Sequence, residues 1–176
     1  MTGLALKIAL TPIKIMGAEL EVQRATNSET IPHDDQFQLW VEHAFANNER
    51  GGMLTIRIVD EEEGRRFNHE YRSKDYATNV LSFPMEPPQG LPPELERSQL
   101  GDLLICAPVV AREAVEQGKP ETHHWAHLTI HGVLHLQGYD HEQSADAVVM
   151  EALETDILAK LGIPDPYQAN FQHAKI

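Results

Sequence analysis

The stretch HGVLHLQGYDH, residues 131–141, decides how the rest of this chain is read. His131 and His135 stand four residues apart. On a helix their rings project from one face about one turn apart, a bite that suits a single metal ion. Gly138 follows three residues later and can take the left-handed conformation that ends a helix and reverses the chain. That reversal lets His141 return toward the same point. Three imidazole ligands with a fourth position open is the arrangement of catalytic rather than structural zinc. One Zn2+ ion is therefore expected on His131, His135 and His141, with other divalent transition metals, nickel and copper among them, also compatible with such ligands.

Outward from this stretch, six of the ten histidines fall within residues 123–141, so the upstream helix needs the same scrutiny. A helix from about Pro120 to Gln137 places His124, His127, His131 and His135 in a stripe ~80° wide. Trp125, Leu128, Ile130, Val133, Leu134 and Leu136 surround the rest of it, which is the pattern of a buried helix. Imidazoles on a buried helix need partners, because unpaired polar groups are costly to bury. His127 is a rival ligand, four residues before His131. Periodicity leaves it open, although three histidines along one straight helix span two turns, far for one ion. His123 and His124 are expected to cap, face solvent or support the ligands.

The remaining segments alternate in type. Residues 17–25 alternate weakly, as a strand does. Phe37, Trp40, Val41, Ala44 and Phe45 recur at helical spacing behind Asp34 and Asp35 as caps. Leu54, Ile56 and Ile58 mark a strand. Asp60 heads a polar helix from Glu61 to about Tyr71, in which Glu61, Glu62 and Glu63 suit the helix dipole. Val80–Phe83 is a short strand stopped by Pro84, residues 84–99 form a Pro-rich surface loop, and Leu100–Cys106 is another strand. Pro108 suits the first turn of a helix ending near Gly118, and a last helix spans about Gln143–Leu161. The expected architecture is α+β: a single domain with a small mixed sheet packed with helices around a central metal-binding helix.

Composition narrows the partners. The 176 residues suit one domain, and 41% hydrophobic residues are enough for a core, which excludes wholesale disorder. Acidic residues number 27 against 14 basic ones, a net charge of −13 that argues against broad binding to nucleic acid or anionic membranes. No run of ~18 apolar residues is present, so no membrane span is expected. Lys7 and Lys14 interrupt the apolar N-terminus too often for a signal-peptide core. The single Cys106 has no intramolecular partner and reads as a buried hydrophobe in a reducing compartment, so the expected location is cytoplasmic. Residues 1–16 are expected to be an N-terminal extension, with Met16 an alternative start, residues 17–168 the catalytic domain and residues 169–176 a tail.

The spacing of the three histidines and Gly138 is similar to that of the metzincin proteases, H-E-x-x-H-x-x-G-x-x-H, but Gly132 stands where those enzymes carry their general-base glutamate. HGVLHLQGYDH preceded by WAHLTI, YRSKDYATNVLSFP (residues 71–84) and GDLLIC (residues 101–106) together resemble the YbeY family of bacterial endoribonucleases, over about residues 17–168. The resemblance implies a metzincin-like α+β core. It also implies a single-strand-specific, metal-dependent endoribonuclease acting in maturation of the small-subunit rRNA 3′ end and in ribosome quality control. It maps the zinc ligands onto His131, His135 and His141, and an activity-linked arginine onto Arg72.

The residues are compatible with that chemistry. A zinc-bound water has a pKa near ~7, so it could attack phosphorus, or help a ribose 2′-OH to do so, without a carboxylate base. Charge building on the phosphate calls for a fixed cation, for which Arg72 is the best candidate, with Lys74 a weaker one unless it pairs with Asp75. Arg65, Arg66, Arg72 and Lys74 form a local basic track. Tyr71, Tyr76 and Phe83 are the nearest aromatics to it, with core packing or turn filling the simpler role for each. Asp140 is a turn residue or an orienter of a ligand histidine, and Asn79 and Ser82 are strand-end polar residues that could touch substrate. Expected partners are single-stranded RNA, chiefly rRNA, and the ribosome or its basic proteins, with no DNA and no membrane. A metallopeptidase-like hydrolase lacking the usual glutamate and a non-catalytic, zinc-stabilised ribosome assembly factor are the competing readings.

Overall fold

The computed structural model describes residues 18–46, 52–86, 89–90 and 99–168. The expected extension 1–16, the tail 169–176 and most of the Pro-rich loop lie outside them. In chain order the elements are β1 (Glu19–Ala25), α1 (Asp34–Phe45), β2 (Met53–Val59), α2 (Glu61–Arg72), β3 (Val80–Pro84) and β4 (Gln99–Cys106). Three helices complete it: α3 (Ala107–Glu116), α4 (Glu121–Leu136) and α5 (Ser144–Lys160). The fold is α+β, and each element falls within a few residues of its expected place.

The sheet runs β1-β2-β4-β3, parallel between β1, β2 and β4 and antiparallel between β4 and the edge strand β3. Alternation along the strands divides the buried residues between two faces. Leu54, Ile56, Ile58, Leu103, Ile105 and Val80 pack with α1, α4 and α5 in the main core. Val59, Leu81, Leu104 and Cys106 form a smaller cluster on the other face with Phe67 of α2. Trp125 joins the main core edge-on to Phe37, with ring centroids 5.8 Å apart.

Helix α4 lies unusually close to the sheet. A Cβ on Gly132 would sit 2.8 Å from Cδ2 of the fully buried Leu103 on β4, so any side chain here would force Leu103 to shift within the core. The position that carries the base in metzincins therefore faces the core here.

Several caps differ from expectation. His33, not an aspartate, occupies the N-cap of α1, and its N–H donates to Gln36 Oε1 at 3.2 Å. Asp34 and Asp35 fall in the first turn, where their charge suits the dipole, and Asp34 accepts from Arg24 at 2.5 Å. Asp60 is the N-cap of α2, but its carboxylate turns away to the Thr26 hydroxyl and Asn27. Glu61 and Glu63 are more than a solvated helix end: they bind Arg112 at 2.6 Å and Arg57 at 2.8 Å. Cys106 is buried at the junction of β4 and α3, and burial pushes its thiol pKa up, so it is an inert packing group.

Candidate metal centre

The turn after α4 forms as the glycine requires. Gly138 has φ +95°, its N–H donates to His135 O at 2.9 Å, and the Tyr139 N–H reaches back to Leu134 O at 3.1 Å. This pair of bonds is the Schellman closure, and Tyr139 packs on the core beneath it. Asp140 then accepts the His141 N–H at 2.7 Å, a turn role. The outcome is convergence: one ring nitrogen from each of His131, His135 and His141 lies within 4.8 Å of the others. The ring centroids of His131 and His135 are 4.6 Å apart, and those of His135 and His141 are 4.9 Å apart.

The hydrogen bonds set which nitrogen faces which way. His135 Nδ1 donates to the Tyr139 carbonyl at 3.0 Å, and His131 Nδ1 donates to the Glu154 carboxylate. Both protons are thereby placed on Nδ1, and the two Nε2 lone pairs face each other at 3.1 Å. Facing lone pairs are favourable only when they share a proton or a cation. Two ligands held ~2.0–2.1 Å from a tetrahedral zinc would sit roughly 3.3 Å apart, so the donor set fits such an ion. Burial, then the neighbouring His131 and His141, holds the His135 pKa below the ordinary imidazole value, which keeps it neutral and able to ligate.

Sequence reading missed Glu154. It is fully buried on α5 and, besides His131, accepts the Tyr167 hydroxyl, with His127 Nε2 3.6 Å from its other oxygen. Burial alone would raise its pKa, yet the contacts with His127 and His131 outweigh that and hold it below the usual carboxylate range. A signal was present in the sequence: Glu154 shares the buried stripe of Met150, Ile157 and Leu158 at helical spacing. His127, the rival ligand, joins His131 and Glu154 in a second group rather than the three-histidine one. Since His131 presents Nδ1 to that group and Nε2 to His135, the second group supports the first.

His124 neither caps nor faces solvent. It is 3% exposed and its Nε2 lies 2.7 Å from Glu113 on α3, which also accepts from Asn79 at 3.0 Å. Asn79 Oδ1 accepts the Val80 N–H, so Asn79 has a structural role. Ser82 is half-buried on β3, on the same face as Val80.

The basic segment resolves into two kinds of cation. Arg65 forks onto Asp75 with two bonds of 2.8 Å, so Asp75 pairs with Arg65 rather than with Lys74, and Arg66 lies 3.7 Å from Glu63 and over the Phe67 ring. Arg72 and Lys74 are exposed, and their side chains have no hydrogen bond or ion pair among the described residues. The expected track of four charges is thus two free ones.

Residues 21–162 match the family described as Endoribonuclease YbeY. The Endoribonuclease YbeY of Halorhodospira halophila is 57% identical over 150 residues, covering 85% of this chain and 96% of that protein. The chain belongs to the YbeY family. The Alkalilimnicola ehrlichii member is 55% identical over 157 residues, covering 88% of this chain and 93% of its own. A Xanthomonas campestris YbeY is 58% identical over 137 residues, covering 78% of this chain and 85% of its own. At the level of fold alone, a Thermotoga maritima protein solved in solution superposes with a TM-score of 0.52 at 19% identity, over 85% of this chain and 99% of that one. Within this YbeY fold the three histidines, Glu154 and Tyr167 form one continuous polar cluster along α4.

Proposed function

We propose that this YbeY protein is a zinc-dependent endoribonuclease that cleaves single-stranded RNA, with rRNA maturation at the small-subunit 3′ end and ribosome quality control as its setting. The observation that carries the reading is the pair of Nε2 atoms at 3.1 Å, each with its Nδ1 proton already committed. His131, His135 and His141 hold the ion within the domain 17–168. When bound, zinc supplies a Lewis acid and lowers the pKa of a coordinated water toward ~7.

The chain's own residues do the rest. Glu154 and the Tyr139 carbonyl fix the two helical imidazoles as neutral Nδ1–H tautomers. Arg72, with no acid partner among the described residues, binds the phosphate and offsets charge that builds on its oxygens. The peptidase alternative loses support because the glutamate position is Gly132, set against Leu103 in the core. The net charge of −13 suits basic ribosomal proteins as partners, which bring the protein to its substrate. No helix among the described residues is long and apolar enough to cross a membrane, and the lone cysteine is buried, in keeping with a cytoplasmic site of action.

Purified protein is to be given a single-stranded RNA, the matching duplex and an unfolded protein. Cleavage of the single strand alone is expected, lost with His135→Ala or a chelator and lowered at least about 100-fold by Arg72→Ala. Undiminished cleavage by His135→Ala would expose a contaminant and end the claim.

A further inference from the structure

All six side chains of residues 71–76, Tyr-Arg-Ser-Lys-Asp-Tyr, are exposed, yet their backbone is firmly held from below. Ser73 ends α2 in the left-handed region at φ 56°, with its N–H on His69 O at 3.0 Å. Asn68, only 1% exposed, donates through Nδ2 to Tyr76 O at 2.7 Å, and the Lys74 N–H reaches Asn68 O at 3.3 Å. The Arg65 fork fixes Asp75. A non-glycine residue in the left-handed region and a buried asparagine spent on one carbonyl are costs the fold carries to hold this loop in one shape.

That shape displays two tyrosines and two unpaired cations. Tyr71 is 58% exposed and Tyr76 is 55% exposed, which sets aside core packing for both. The Tyr71 ring stacks on Phe67 at 5.9 Å with planes 7° apart and meets Phe83 edge-on at 4.9 Å, so it is braced on one side and open on the other. Phe83 lies on β3, whose opposite face packs on α4, the helix that carries His131 and His135. Through Phe83 the loop thus touches the edge strand that packs on α4.

We infer that Tyr71 and Tyr76 form a base-stacking platform for single-stranded RNA, with Arg72 and Lys74 holding the phosphates of the stacked nucleotides. Every base has a π-face, so such a platform tolerates sequence, while paired bases in a duplex cannot reach it. On a body of net charge −13, two exposed cations without an acid partner among the described residues mark where a polyanion can approach. The inference rests on the RNA-cleaving reading and adds how the unpaired strand is selected.

The test uses the zinc-loaded full chain and fluorescence anisotropy with a 2′-O-methyl RNA dodecamer, intact or lacking every second base. Wild type is expected to bind the intact strand roughly 5- to 100-fold tighter. Tyr71→Ala and Tyr76→Ala should each lose much of that preference, leaving binding of the base-depleted strand and the salt dependence unchanged, and Tyr71→Phe should retain it. Lys74→Ala should weaken both strands alike and flatten the log–log salt slope by about 0.7. Tyrosine variants that keep the wild-type preference overturn the platform, as do variants that weaken both strands equally. If they leave RNA binding intact but lose a ribosomal-protein complex, the surface is a protein interface and the proposal also fails. Cleavage of natural RNA by a wild type that binds the intact and base-depleted strands equally well sinks the platform alone. Absence of both cleavage and RNA binding sinks the nuclease reading with it.

Discussion

Glu154 shows how one buried carboxylate can govern a site made of histidines. Its oxygen accepts a hydrogen bond from the His131 Nδ1–H, which turns the Nε2 lone pair toward His135, and the Tyr167 hydroxyl donates to the second oxygen. Glu154→Gln keeps an acceptor of the same shape but removes the charge that favours this tautomer. The expected result is a zinc affinity about 10- to 100-fold lower in chelator competition, with the circular dichroism spectrum unchanged. Unaltered affinity would mean that the orientation of His131 is set elsewhere. The convergence of His131, His135 and His141 was legible in sequence because their spacing is local. Glu154 was not, since α5 also exposes Asp146, Glu151 and Asp156, and the partner of Glu154, His131, lies 23 residues away in the chain. The same limit hid the Arg65–Asp75 fork, which turns on the bend at Ser73.

At the level of elements, α4 is both a core helix and the carrier of the centre, and glycine separates these duties. Gly132 brings the helix against Leu103, while Gly138 closes it and returns His141. Gly132→Glu, which restores the metzincin motif, should therefore yield an unstable protein rather than a protease. Overpacking costs ~1–3 kcal/mol and a buried carboxylate adds to it, so urea unfolding should show a loss of about 3 kcal/mol or more. Stability equal to wild type would contradict the close approach. Helix limits were legible wherever glycine or proline punctuates, as at Pro108, Gly138 and Gly162. The caps were less so: the Asp60 side chain found better partners in Thr26 and Asn27 than its own helix end.

Across the whole molecule, the order β1-β2-β4-β3 could not be read from the chain, because parallel pairing joins strands far apart in sequence. That order leaves β3 at the edge, in contact with Tyr71 through Phe83 and with α4. The acidic balance, in sequence an obstacle to RNA binding, becomes a map once pairing is known: Arg65 is paired with Asp75, Arg66 lies 3.7 Å from the Glu63 that Arg57 already binds, and the Arg72 and Lys74 side chains have no partner among the described residues. The central claim is that one ion held by His131, His135 and His141 makes this fold a nuclease. Titrating metal-free protein with zinc, while measuring bound metal and single-strand RNA cleavage on the same samples, tests it most directly. Cleavage should rise in proportion to bound zinc and saturate at one ion per chain, with no response in His131→Ala; full cleavage by metal-free protein, or cleavage indifferent to occupancy, would contradict the account.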